Sequence, residues 1–302
     1  MRTKGIELEM SEPEFLISVM NRHLTSCTIV CLIGGGQEIN TGEAGISEWV
    51  QALKDKFRNW NIYFSDLITA DKNYLKDTDL IAWLNTNGIK KHDLHLDVSI
   101  RSFRSEKISQ LVHEIIEGNS VTAKEILIST KDLYPIYVTR DLSRAKEWLL
   151  SKAVGSERIG LVGSSGGKRL KPLGLNVKNE IVAELWFLND SADVRSSQYL
   201  EDIATEFDIQ GLEIDYTCVA WDINFYFKDG KWNYQNFEGT KWEGMSEIDK
   251  SYLRNAYRVL LTRARQGMII FVPEGDDKDK TRPRELYDST YNFFIQCGFK
   301  IY

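Results

Sequence analysis

The residues best suited to chemistry are two arginines near the C-terminus, Arg263 and Arg265, in the run Tyr257–Gly267 reading YRVLLTRARQG. At about 100° per helical residue, Leu253, Tyr257, Leu260, Leu261 and Ala264 share one apolar stripe, and the arginines flank it on opposite edges. Burying the stripe would leave both guanidinium groups turned outward. Gly267 is expected to stop the helix, and Met268–Val272 reads as a buried strand, which sets the arginines at a helix-to-strand corner. Such corners beside a parallel sheet often serve phosphate chemistry. The structural alternative is a cation that complements the helix dipole, worth under about 1 kcal/mol.

A second cationic group, Lys168, Arg169 and Lys171, follows the small-residue loop Ser164–Gly167. Exposed backbone N–H groups with cations nearby would favour a nucleic-acid phosphate. A solvated basic loop accounts for the same residues. The run Gly163–Arg169, GSSGGKR, is not a P-loop. Val162 stands where the first glycine is required, and Arg169 where a hydroxyl would ligate magnesium. Within 222–244, Asp229-Gly230 between aromatic runs is a hairpin signature. Trp232 and Trp242 there would either stack nucleic-acid bases, at about 1–3 kcal/mol per base, or pack against their own lobe.

Metal chemistry finds no support. Cys27 and Cys31 bracket an expected strand that would hold them roughly 13 Å apart, too far to share an ion, and Cys218 and Cys297 complete no framework. His92 and His95 lack a companion ligand motif.

These residues need a scaffold of alternating elements. Helices are expected over Glu12–His23, Ile46–Phe57, Tyr74–Asn85, Ser105–Glu117 and Leu142–Ser151, with a turn at Asn87-Gly88. Strands are expected over Thr28–Ile33, Trp60–Phe64, Leu94–Val98, Ile136–Thr139, Ile159–Val162 and Ile181–Leu188, with two more around Cys218 and Ile270. The alternation predicts an α/β fold, a parallel sheet with helices on both faces. A domain boundary is expected between about Asn85 and Asp93, and the charged loop Asp276–Lys280 reads as solvated.

The 302 residues, 42% of them hydrophobic, suffice for about two domains. No apolar run approaches the roughly 20 residues that span a bilayer, and MRTKGIELEM lacks a signal-peptide core. A cytoplasmic location is expected. With 38 Lys and Arg against 44 Asp and Glu, a net charge of −6 excludes bulk electrostatic coating of DNA, so nucleic-acid contacts must be local.

Three segments in order carry a family likeness. Gln37 lies in Leu32–Ile39, LIGGGQEI, after the apolar run Thr28–Cys31. Thr205–Asp215 reads TEFDIQGLEID, and LTRAR follows about fifty residues later. This order resembles motifs III, V and VI of superfamily 1 helicases. Nearly the whole chain, from about Met10, is similar to the Schlafen group III type DNA/RNA helicase domain. The resemblance implies a RecA-like second motor lobe over 93–302, preceded over 1–85 by the tail of a first lobe. Arg263 would then be the arginine finger, with Arg265 beside the nucleotide. Gln37 would sense the γ-phosphate or orient the attacking water. Glu213 would accept hydrogen bonds from the ribose, with Gly211 letting the backbone approach. Thr205 and Gln210 would lie near the nucleic acid or the cleft.

Leu96–Ser102, LDVSIRS, is similar to the superfamily's Leu-x-x-Asn-Tyr-Arg-Ser motif and implies Arg101 at the γ-phosphate, with Arg104 a competitor. Ser99 and Ile100 replace the Asn and Tyr, and surface ion pairing accounts for either arginine equally. Gly34–Gly36 replaces the usual Gly-Asp before the glutamine and reads equally as a turn. The family's P-loop and Asp-Glu magnesium motif lie upstream of the Gln motif. ATP and Mg²⁺ are therefore expected only together with a first lobe supplied in cis or trans, and this chain alone should be inactive. The expected function is the C-terminal part of an ATP-dependent helicase or translocase acting on DNA or RNA, single-stranded by preference. The alternatives are a non-catalytic nucleic-acid-binding or interaction module, and a truncated reading frame.

Overall fold

A computed structural model describes residues 10–32, 45–70, 74–95, 103–130 and 134–302, the side chains of 103–105 excepted. The chain divides into two compact units, Met1–Ser99 and Ile100–Tyr302.

The first unit contains α1 (Glu12–Met20), α2 (Ile46–Asp55), β1 (Ile62–Phe64), α3 (Leu67–Ala70), α4 (Thr78–Asn87) and β2 (Gly88–Lys90). Side-chain caps start two of these helices: Ser11 accepts from the Glu14 N–H in α1, and Asp77 accepts from Asp79 and Leu80 in α4. β1 and β2 pair in parallel. Ile46, Val50, Phe64, Leu75, Leu80 and Leu84 form the core beside them. Gly88 lies where a Cβ would meet the Phe64 ring at 2.8 Å, so close packing, beyond the expected turn, selects glycine. Thr28–Leu32 is not the expected buried strand. It has no strand pairing among the described residues, with Val30 and Leu32 80% and 81% exposed. An apolar β-branched run forms a strand only where a partner takes up its backbone groups.

The second unit opens with α5 (Phe103–Glu117) and α6 (Ser120–Thr130), followed by β3 (Ile136–Thr139), α7 (Leu142–Lys152), β4 (Ile159–Gly163) and α8 (Ala183–Leu188). Then come β5 (Ile203–Ala204), β6 (Ile214–Ala220), β7 (Phe225–Lys228), β8 (Lys231–Tyr234), β9 (Asn236–Glu238) and β10 (Lys241–Glu243). It ends with α9 (Glu247–Thr262), β11 (Ala264–Phe271), α10 (Arg284–Gln296) and β12 (Lys300–Ile301). Six strands form one sheet in the order β12-β3-β11-β6-β4-β5, every pairing parallel. α7 covers one face, where Trp148 and Leu149 pack with Ile159, Leu161, Cys218, Ala220, Ile269 and Phe271. The alternate residues Val162, Val219 and Ile270 are equally buried and face the other way by strand periodicity. The helices α9 and α10 also pack on the sheet. This is a RecA-like lobe, a parallel sheet flanked by helices.

Two local expectations are corrected here. Ile181–Leu188 is not a strand; its greater part is the short helix α8, whose Trp186 is buried against Gly160. α9 stops at Thr262, not at Gly267, and the strand begins at once with Ala264. The pairing of β11 with β6 shifts register between Ala264 and Gly267, and this irregularity absorbs Arg265 and Gln266. Gly267 sits inside the strand because a Cβ there would lie 2.8 Å from Pro135 Cγ and 2.9 Å from its carbonyl.

Candidate functional site

A parallel sheet has two chemically different ends, and the candidate residues divide between them. At the amino end, Ile214 opens β6 opposite Ala264 of β11, and the Ile214 N–H donates to the Arg263 carbonyl at 3.0 Å. This register brings Glu213, just before β6, beside Arg263 and Arg265, with Gly211 two residues further back along the exposed turn. The sequence separates the two groups by fifty residues; one ladder joins them. Arg263 caps α9 and is 6% exposed. It does not face freely outward, as the helical stripe implied, because the chain turns into the strand one residue later. Arg265 is exposed, and its Nη2 lies 3.2 Å from Asp215. Gln210, Gly211 and Glu213 are exposed as well. Gly211 has φ +85° with nothing within 4 Å of a built Cβ, so the glycine supplies a left-handed turn in open space.

Asp215 organises this end. It accepts from the Arg158 N–H at 2.8 Å and from Gln266 Nε2 at 3.0 Å, besides pairing with Arg265. Gln266 also donates to Glu157 at 2.7 Å. Sequence reading missed Asp215, although it sits two residues after Glu213; an acid opening a strand carries no sign of the donors that will converge on it.

The carboxyl end is built differently. Ser164–Arg169 follows β4 and Thr205 follows β5, and the backbone donors of the loop are already taken. Ser165 donates from N and Oγ to Glu206 at 2.8 and 2.7 Å, and the Arg169 N–H donates to Asp222 at 2.9 Å. Gly166 and Gly167 donate to the Ser164 hydroxyl and carbonyl. The loop thus cradles the protein's own carboxylates where a phosphate was expected. Its cations are engaged too. Lys168 Nζ donates to the Phe237 carbonyl at 2.6 Å, and Arg169 pairs with Asp279 at 2.7 Å while lying over the Phe237 ring. Asp279 belongs to the loop expected to be merely solvated; bonds from Thr281, Arg282 and Arg169 hold its carboxyl well below the usual range. Thr205 donates from N and Oγ to Asp208, both at 2.7 Å, so its hydroxyl fixes a turn.

Behind this loop lies a buried polar network. Asp222 accepts from Tyr287 at 2.6 Å and from the Ile223 N–H at 2.8 Å. Tyr257 donates to Asn224 at 2.7 Å, and Asn224 donates to Ser164 at 3.1 Å. Burial pushes the carboxyls of both Glu206 and Asp222 upward, against the hydrogen bonds they accept.

The 222–244 insertion forms two hairpins, β7–β8 and β9–β10. Asp229 and Gly230, both at positive φ, make the turn of the first. Of the two expected roles, Trp232 takes the packing one. It is 7% exposed, is stacked on Phe225 at 4.2 Å and meets Phe227 and Phe293 edge-on, and its indole N–H donates to Ile115. The Trp242 indole donates to the Thr281 carbonyl. Gln37, Gly34–Gly36, Arg101 and the Arg104 side chain lie outside the described residues.

Among the described residues no group of three His, Cys, Asp or Glu side chains has the arrangement of a metal site, and no helix is long and apolar enough to cross a membrane. No curated protein and no solved structure gives a significant match to the chain. The family model of the Schlafen group 3, DNA/RNA helicase domain matches residues 1–274. With that span covering most of its length, the chain belongs to the Schlafen group 3 DNA/RNA helicase domain family, which gives it a helicase-related, nucleic-acid-associated role.

Proposed function

We propose that the chain acts as the second motor lobe of a superfamily 1-like, ATP-dependent DNA or RNA helicase or translocase, with the amino end of its sheet turned to the nucleotide. The observation that carries this reading is the β6–β11 register, which sets Glu213 beside Arg263 and Arg265 at one edge, two residues after the exposed Gly211. The donor set there suits the phosphate and sugar parts of ATP: guanidinium groups donate to phosphate oxygens, and a carboxylate accepts from ribose hydroxyls. For the magnesium part, no group of three His, Cys, Asp or Glu side chains among the described residues is arranged to hold an ion. Arg263 supplies positive charge where phosphoryl transfer develops negative charge, a contribution of about 10³–10⁵ in rate, or roughly 4–7 kcal/mol. The P-loop would come from another segment, in cis or trans, and closure of the two lobes would link nucleotide state to a grip on a single strand.

ATP turnover tests this. The purified chain alone should show none, and the chain joined to a P-loop-bearing lobe should hydrolyse ATP. Turnover by the chain alone that Arg263→Ala abolishes would mean that the nucleotide site has been mislocated. The burial of Arg263, 6% exposed, favours a second reading, a binding module that keeps the fold without catalysis. Single-strand binding that stays indifferent to ATP with a P-loop lobe attached would select it.

A further inference from the structure

The amino end of the sheet carries its own anion. Asp215, with a side chain 13% exposed, is held by two donors besides Arg265: the Arg158 N–H at 2.8 Å and Gln266 Nε2 at 3.0 Å. Gln266 is itself fixed by Glu157 at 2.7 Å, and the Tyr216 hydroxyl donates to its carbonyl oxygen at 3.4 Å. The Arg158 guanidinium, another cation at this end, donates to the carbonyls of Leu188, at 2.8 Å, and Asn189. The Arg265 side chain, by contrast, is 57% exposed, and its one ion pair leaves further N–H donors of the fork for a second acceptor.

The pair is therefore asymmetric. When Arg265 leaves, Asp215 keeps two hydrogen bonds, which lowers the cost of the exchange. A polyphosphate offers the departing guanidinium a denser set of charged oxygens and a bidentate geometry. We propose that Asp215 is a built-in competitor for phosphate, holding Arg265 in the resting chain and yielding it to a polyphosphate ligand that arrives at this edge. The inference rests on the reading above that phosphates approach the amino end of the sheet, and adds to it a device that sets how readily they are accepted.

Titration calorimetry of the full chain with inorganic tripolyphosphate tests it. Asp215→Asn should tighten binding about two- to fivefold, the scale of removing one exposed ionic competitor. Asp215→Ser, which presents no amide to the Arg158 and Gln266 donors, should do the same. Arg265→Ala should weaken binding, and in that background the Asp215 substitutions should change nothing. In the unaltered chain, the Arg265 Nε–H resonance, assigned through Arg265→Lys, should shift when tripolyphosphate is added. Unchanged or weaker binding in both Asp215 variants overturns the proposal, as does a silent Arg265 resonance while the unaltered chain still binds. Equal tightening without Arg265 overturns it too, since only bulk charge would then be at work. Failure of every form, the unaltered chain included, to bind tripolyphosphate overturns the underlying placement of phosphates as well, which separates the two failures.

Discussion

The two ends of the parallel sheet carry similar residue types and treat them oppositely. At the carboxyl end, Ser164–Arg169, Glu206, Asp222, Asn224, Tyr257 and Tyr287 satisfy one another, and Lys168 and Arg169 are spent on Phe237, Glu238 and Asp279. At the amino end, Arg265 is exposed, Glu213 and Gln210 stand at the surface, and Asp215 is the hub. A glycine-rich basic loop is therefore not in itself a ligand site; what decides is whether its donors are already occupied. Here the segment that looks most like a phosphate cradle stabilises the lobe, and at the less conspicuous edge Arg265 keeps fork donors beyond its ion pair with Asp215.

That contrast predicts large stability effects and little specific loss of function at the carboxyl end. Trp232→Ala should destabilise the lobe most, by about 3–5 kcal/mol, as read by denaturant unfolding. Single-strand affinity per folded molecule should be unchanged, and a selective loss of affinity in a stable variant would restore the base-platform reading. Tyr287→Phe removes a buried donor to Asp222 and should cost about 1–3 kcal/mol; an unchanged midpoint would mean that the network is slack.

The acids there also give a pH signature. Burial raises the folded-state pKa of Glu206 and Asp222 above the unfolded values, so folding takes up protons at these sites. Their favourable contribution is complete below the unfolded carboxylate pKa, near 4, and is lost as pH rises through the raised folded values. Glu206→Gln should flatten the decline of the melting temperature over that window, and an unaltered slope would contradict the assignment. The smallest effect belongs to the other end. Arg265→Ala should change stability by under about 1 kcal/mol, since its ion pair is exposed, and a larger loss would make Arg265 a structural residue like those opposite.

Much of this architecture was legible in the sequence because local pattern and tertiary context agreed. Ile136–Thr139 folded as its periodicity predicts, and so did the α9 stripe from Leu253 to Leu261. α6 escaped notice because Val121, Thr122, Ile126 and Ile128 mix β-branched residues into a helix with little amphipathic contrast. The chain order TEFDIQGLEID then LTRAR was readable; the ladder that makes them neighbours depends on a register shift at Arg265-Gln266 that no pattern announces. Trp232 was ambiguous, since aromatic hairpins serve cores and bases alike, and only its packing against Phe225 and Phe293 decides. The carboxyl-end loop misleads because Glu206 and Asp222 lie 41 and 53 residues from the backbone donors they satisfy.

The central claim, that the amino end of the sheet faces the nucleotide, is tested most directly by ATP turnover of the chain joined to a P-loop-bearing lobe, with one substitution at each end. Arg263→Ala should lower the rate by about 10³–10⁵ while Lys168→Ala leaves it within severalfold. A large loss from Lys168→Ala with Arg263→Ala near the unaltered rate would contradict the claim and move the nucleotide to the opposite end.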